Sequence, residues 1–213
     1  MSAKRKVTTL SPTYMISVGI NHIAMKNNAH LGETKEQRLK RFTENHPYEV
    51  IATITNSMAN NFVNELRSVF DDPTNYQTSL MFLGTHSIAL TIAYGLFNKD
   101  GEDGYKTFLE HFIDGDTPDT KFSTVSDRIH EWRNVIAHRW INVAGHSFGY
   151  DFDMSEGWKV EDEFLLVNPK IYCDQFLKAF GPGGRIYQYE QFLTTEEMWA
   201  AAKKRFISKY VGN

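Results

Sequence analysis

The chain has 213 residues, a formal net charge of −3, and 41% apolar, 23% charged and 14% aromatic residues. That composition belongs to a folded globular protein and excludes disordered and fibrous classes, while the charge balance excludes a general basic nucleic-acid coat but not one local basic site. The single cysteine, Cys173, excludes an intrachain disulfide framework and a multi-cysteine zinc site.

The opening Met-Ser-Ala-Lys-Arg-Lys leads into a polar stretch without an apolar signal core, so the expected setting is reducing and cytoplasmic. Residues 1–45 read as an N-terminal extension in which Thr34 to Asn45 forms a short charged helix. After Pro47, Ile51, Ile54, Met58, Phe62, Leu66 and Val69 recur every three or four residues, which predicts one apolar helical face. Asp71-Asp72-Pro73 ends that helix, and Thr74 with Gln77 forms a capping box for a second long helix running to about Phe97. So short a turn predicts antiparallel packing of the two. Leu80 to Phe97 carries no formal charge over eighteen residues, at the lower edge of a membrane span. His86, Thr85, Ser87, Thr91 and two glycines within it favour a buried central helix and no membrane.

A shorter helix follows near Glu102–Ile113, then a turn-rich loop over Asp114 to Thr120. A fourth helix spans about Phe122 to Asn142, with Gly145 as its stop signal. Phe148, Tyr150, Phe152 and Met154 then alternate, the chain turns near Ser155-Glu156-Gly157, and Trp158, Val160, Phe164 and Leu166 follow, which predicts a β-hairpin near 146–167. A helix near Asn168–Phe180 leads to Gly181-Pro182-Gly183-Gly184, read as a linker. The last helix, capped at Thr194 or Thr195 with Glu196 and Glu197 in its first turn, is expected as a C-terminal appendage over 185–213. The expected fold class is mainly α: an antiparallel helical bundle over 46–181 with a small β-hairpin insertion after the fourth helix.

The chemistry concentrates in Arg128 to Trp140, RIHEWRNVIAHRW. On a helical wheel, Ile129, Trp132, Ile136 and Trp140 flank Arg133 on one side while Ala137 and Ile141 flank it on the other. Arg133 is thereby placed within the apolar arc, with His130 beside it, and Asn134 and His138 stack four residues apart. A guanidinium keeps its proton, so at a packed surface it requires a carboxylate, a phosphate or water. With 9 Arg, 14 Asn and 8 His in the chain, this Arg-Asn-x-x-x-His spacing is expected by chance only about 0.02 times.

Arg133-Asn134-x-x-x-His138 resembles the R-x(4–6)-H signature of the HEPN superfamily, including the polar residue directly after the arginine. The order of preceding helices is similar too, and the resemblance covers roughly residues 47–142 with part of the helix after the hairpin. It implies a metal-independent endoribonuclease with no cofactor, RNA as substrate, and a homodimer whose two motif helices form a composite active site. A toxin or antiviral setting, with an antitoxin as a candidate partner, is implied as well. On this resemblance the catalytic residues are Arg133 on the scissile phosphate, Asn134 holding the imidazole or the phosphate, and His138 transferring a proton. The alternative is a non-catalytic module of the same type that binds RNA, nucleotide or protein.

The remaining candidates read more plainly. His22, His30, His46, His86, His111 and His146 show no metal-ligand helical spacing. His86 is either a hydrogen-bonded core histidine or one that leans towards the motif helix. Gly181-Pro182-Gly183-Gly184 lacks the Lys-Ser/Thr of a phosphate loop. Cys173 is expected as a buried small hydrophobe, Asp151 and Asp153 as the wet face of the hairpin, and Arg128 with Arg139 as a solvated basic strip.

Overall fold

Side-chain caps decide where most of the helices begin. The computed structural model describes residues 32–70, 78–139 and 148–211, with side chains throughout except at 62, 68–70, 138 and 139. In α1 (Lys35–Glu44), Thr34 and Gln37 each accept from the other's backbone N–H as a capping box. His46 caps α2 (Pro47–Met58), and Pro47 sits at the first helical position, where its missing N–H is harmless. A π turn over Ala59–Val63 joins α2 to α3 (Asn64–Phe70). The extra residue re-phases the apolar face, so Val63, five residues after Met58, is buried along with Leu66. Asp71-Asp72-Pro73 and the Thr74–Gln77 capping box lie outside the described residues.

Helix α4 (Thr78–Phe97) is long and apolar enough to cross a membrane by length and composition, yet ten of its residues, from Met81 to Leu96, are buried within the fold. It packs on α5 (Gly101–Phe108), on α6 (Ser126–Arg139) and on the last helix. Asn98 adopts a left-handed φ of 57° and Asp100 accepts from Gly101 N, so the chain reverses in three residues. A second π turn, Leu109–Ile113, extends α5 and closes with Asp114 N donating to Leu109 O at 2.8 Å.

The hairpin differs from the expectation. Three short strands, β1 (Phe148–Tyr150), β2 (Trp158–Glu161) and β3 (Phe164–Val167), form a sheet of order β1-β3-β2. The hairpin is β2–β3, while β1 pairs parallel to β3. Its turn is Asp162-Glu163, both left-handed at φ 46° and 69°, as a two-residue hairpin loop requires. Because Trp158 pairs with Val167 and Val160 with Leu165, residue parity flips across the turn. Leu165 and Val167 therefore face the core, not Phe164 and Leu166. Each such burial is worth about 1.5–3 kcal/mol, enough to set the register.

After β3, Asn168 caps α7 (Pro169–Phe180), accepting from Lys170 N and Ile171 N while donating to Met154 O at 2.7 Å. The following glycines are a built turn and not a linker: a Cβ at Gly184 would overlap the Ala179 carbonyl, and Gly183 has φ 73°. Thr195 caps α8 (Glu196–Val211) through Met198 N at 3.3 Å. This helix was expected as an appendage, but it forms a wall of the core. It packs on α2 and α4 and buries Ala202 and Phe206 completely, standing where direct pairing of the two long helices was expected; α3 still meets α4, Leu66 lying against Gly84. Arg205 donates to Gly95 O and Leu96 O at 3.0 and 3.2 Å, and Lys203 donates to Thr43 O and Asn45 O. Two cations of α8 thus satisfy the open carbonyls at the ends of α4 and α1.

Candidate active site

Helix α6 is anchored by its apolar side. Ile129 and Ile136 are buried, and Trp132 stacks on Phe148 at 4.8 Å while donating from Nε1 to Tyr150 Oη at 3.0 Å. The sheet therefore braces the helix that carries the motif. Ala137 is exposed, so the apolar arc is narrower than the wheel suggests and Arg133 sits on its border, half buried, rather than at its centre.

At that border Arg133 Nη1 donates to Asn134 Oδ1 at 2.9 Å. Arg133 Nε is enclosed and has no hydrogen-bond partner among the described residues, and no carboxylate among them forms an ion pair with this guanidinium. A half-buried cation in that condition is electrostatically incomplete. His138 lies on the last turn of α6, its side chain outside the described residues, as are the side chain of Arg139 and all of Trp140, Ile141, Asn142, Gly145 and His146. Arg128 belongs to no free basic strip, since it donates to the Glu163 carbonyl in the β2–β3 turn.

A second histidine pair adjoins the arginine. His86 of α4 is 1% exposed, and its Nε2 lies 2.9 Å from His130 Nδ1 on α6. The rings are 4.9 Å apart, and the His86 ring also packs at a tilt against Tyr105 of α5 at 4.4 Å. Tyr105 Oη in turn meets Tyr172 Oη at 3.1 Å. Burial, then repulsion from His130 whenever that ring is protonated and from the Arg133 cation, holds His86 down at about 3, so it is neutral. His130 is also lowered: burial is the main cause and Arg133 adds to it, against an opposing pull from the Glu102 carboxylate. Burial pushes Tyr172 up to about 12, and Tyr105 well above the usual phenol range. Arg133 thus lies beside non-ionised rings, with the Glu102 carboxylate within electrostatic reach of His130.

Both sequence-level descriptions of His86 hold, since it is a hydrogen-bonded core histidine and its partner is on the motif helix. The pairing itself links residues 44 apart, and its only sequence signal is a titratable ring inside a charge-free apolar helix. His46 and His111 serve locally, as an N-cap and as a ring stacked on Phe97 at 4.8 Å, and Cys173 is buried. No cluster of three His, Cys, Asp or Glu side chains that could hold a metal ion occurs among the described residues. Comparison with protein-family models, curated proteins and solved structures gives no match to this chain.

Proposed function

We propose that this protein is a metal-independent endoribonuclease of HEPN type, acting as a homodimer in a toxin or antiviral setting. The observation that best supports this is Arg133: half buried, its Nε enclosed without a partner and no carboxylate paired to it among the described residues, on the helix that continues to His138. Such a guanidinium calls for an anion from another molecule. An RNA phosphodiester supplies the anion and, through its own 2′-hydroxyl, the nucleophile.

In the proposed reaction the 2′-oxygen bonds to phosphorus and the bond from phosphorus to the 5′-oxygen breaks. The products are a 2′,3′-cyclic phosphate and a 5′-hydroxyl. One proton leaves the 2′-oxygen and one arrives at the 5′-oxygen. His138 carries one of these protons, imidazole being the side chain best suited to proton transfer near neutral pH. Arg133 stabilises the charge that builds on the pentacoordinate phosphorus, and Asn134, which accepts from Arg133 Nη1, sets the guanidinium's orientation. A two-fold partner brings a second His138 for the other proton.

Incubation of the purified chain with structured RNA in EDTA, followed by end-group analysis, tests this. The expected products carry 2′,3′-cyclic phosphate and 5′-hydroxyl ends, and His138→Ala slows their formation by about 10²–10⁴-fold. Salt-sensitive RNA binding without cleavage would place the chain among non-catalytic modules of the same type. Cleavage by His138→Ala at the parent rate would remove the assignment.

A further inference from the structure

The motif accounts for Arg133, Asn134 and His138 and leaves the His86–His130 pair without a task. We propose that His130 and Arg133 form a two-pronged grip for a phosphate oxyanion, in which His130 offers a neutral Nε2–H donor and His86 fixes its ring and tautomer. The identification of that anion as an RNA phosphodiester rests on the nuclease reading; the grip itself rests on the side chains.

The hydrogen bond between the two rings has two forms. If His130 Nδ1 donated to His86 Nε2, a neutral His86 would carry its proton on Nδ1. That atom is enclosed and has no hydrogen-bond partner among the described residues, so an N–H there would carry the full desolvation cost of an unpaired donor. If His86 Nε2 donates instead, Nδ1 is a bare ring nitrogen and no N–H is stranded. A doubly protonated His86 is opposed by burial and by Arg133. His130 therefore accepts at Nδ1 and, as a neutral ring, carries its proton on Nε2. That atom has no protein partner among the described residues and is not among the enclosed atoms, so it is open to a ligand.

The groups facing His130 keep it uncharged near neutrality. His86 from α4 occupies Nδ1, Arg133 on its own helix is a cation, and Tyr105 from α5 is non-ionised. Only Glu102, at the start of α5, favours an imidazolium. Protonating Nδ1 would break the bond to His86 and set a second positive charge beside Arg133. His130 and Arg133 stand three residues apart, on one face of successive turns. A phosphodiester spreads one negative charge over two non-bridging oxygens, and a guanidinium with an adjacent N–H matches that pair. In this scheme His130 touches substrate, and His86 is a positioning residue.

Histidine side-chain ¹⁵N NMR on the full chain, with inorganic phosphate as probe, tests the grip without RNA. The expected result is His130 in the Nε2–H form, with its Nε2 signal moving on phosphate addition in the parent and not in Arg133→Gln. RNA binding in a His138→Ala background supplies the second arm. There His130→Ala weakens binding by about tenfold, or ~1.4 kcal/mol, and His130→Gln, which keeps a donor near Nε2, restores most of it. Because the contact is neutral, neither variant changes the slope of log affinity against log salt, whereas Arg133→Gln lowers it by about 0.7. Should His130→Ala fold poorly, the folded His130→Gln and the parent NMR spectrum still decide the tautomer and the phosphate response.

A His130 imidazolium or Nδ1–H form at neutral pH, a salt slope reduced by His130→Ala, or unchanged affinity in that variant would overturn the grip. Phosphate response at His130 without any RNA cleavage would keep the grip and remove the nuclease. Cleavage that needs Arg133 and His138 but ignores His130→Ala would do the reverse.

Discussion

Acidification should expose the neutral state of His86 as a stability cost specific to that residue. The ring ionises near 6.5 in an unfolded chain but only at about 3 in the folded one. Between those values the unfolded state binds a proton that the folded state refuses, so stability falls as pH drops through 6.5 and continues to fall towards 3. Each pH unit in this window is worth about 1.4 kcal/mol, so acidification to about pH 5 removes about 2 kcal/mol through His86 alone. His86→Gln keeps a donor for His130 and does not titrate. Urea unfolding of parent and variant near neutrality and at about pH 5 gives the difference of differences, in which titration of His130 and Asp114 largely cancels. The variant should lose about 2 kcal/mol less than the parent. An equal loss in both proteins would show that His86 is not held neutral and would break the tautomer argument for His130.

Three further outcomes follow from the packing. Gly95→Ala brings a Cβ within 2.6 Å of three ring atoms of the fully buried Phe206; overpacking of about 1–3 kcal/mol outweighs the helix-propensity gain of about 1, so chemical denaturation should show a net loss. Arg205→Ala strands the Gly95 and Leu96 carbonyls at the end of α4 and should cost about 1–2 kcal/mol by the same measurement. Glu163→Gly relieves a left-handed, non-glycine position in the β2–β3 turn and should raise Tm by about 2–4 °C while leaving RNA cleavage unchanged.

Periodicity in the sequence carries much of the helical fold. The apolar face through Ile51, Ile54 and Met58 and the apolar side of α6 at Ile129, Trp132 and Ile136 follow from 3.6-residue spacing, and the buried α4 from a charge-free stretch that still carries His86, Thr85, Ser87 and Thr91. What escapes it has local physical reasons. The π turns carry no sequence mark, so the burial of Val63, five residues after Met58, is not legible. Asp162-Glu163 lacks the glycine that announces a two-residue turn, so the sequence places the turn of the expected hairpin at Ser155-Glu156-Gly157 instead and reverses the inward face of β3. Gly181-Pro182-Gly183-Gly184 has a linker's composition, yet Gly184 is there because the Ala179 carbonyl leaves no room for a Cβ. In the site, Arg133 and Asn134 share a helix and their contact is readable from adjacency. The His86–His130 bond joins two helices through tertiary packing, and no local pattern encodes it.

The proposed function stands or falls with Arg133 as a cation kept for an external phosphate. Its most direct test is the rate of RNA cleavage in EDTA by purified Arg133→Gln relative to the parent, with matched far-UV spectra showing that both are folded. Loss of a charge-stabilising donor from the transition state predicts a fall of about 10²–10³-fold. A rate equal to the parent's would contradict it.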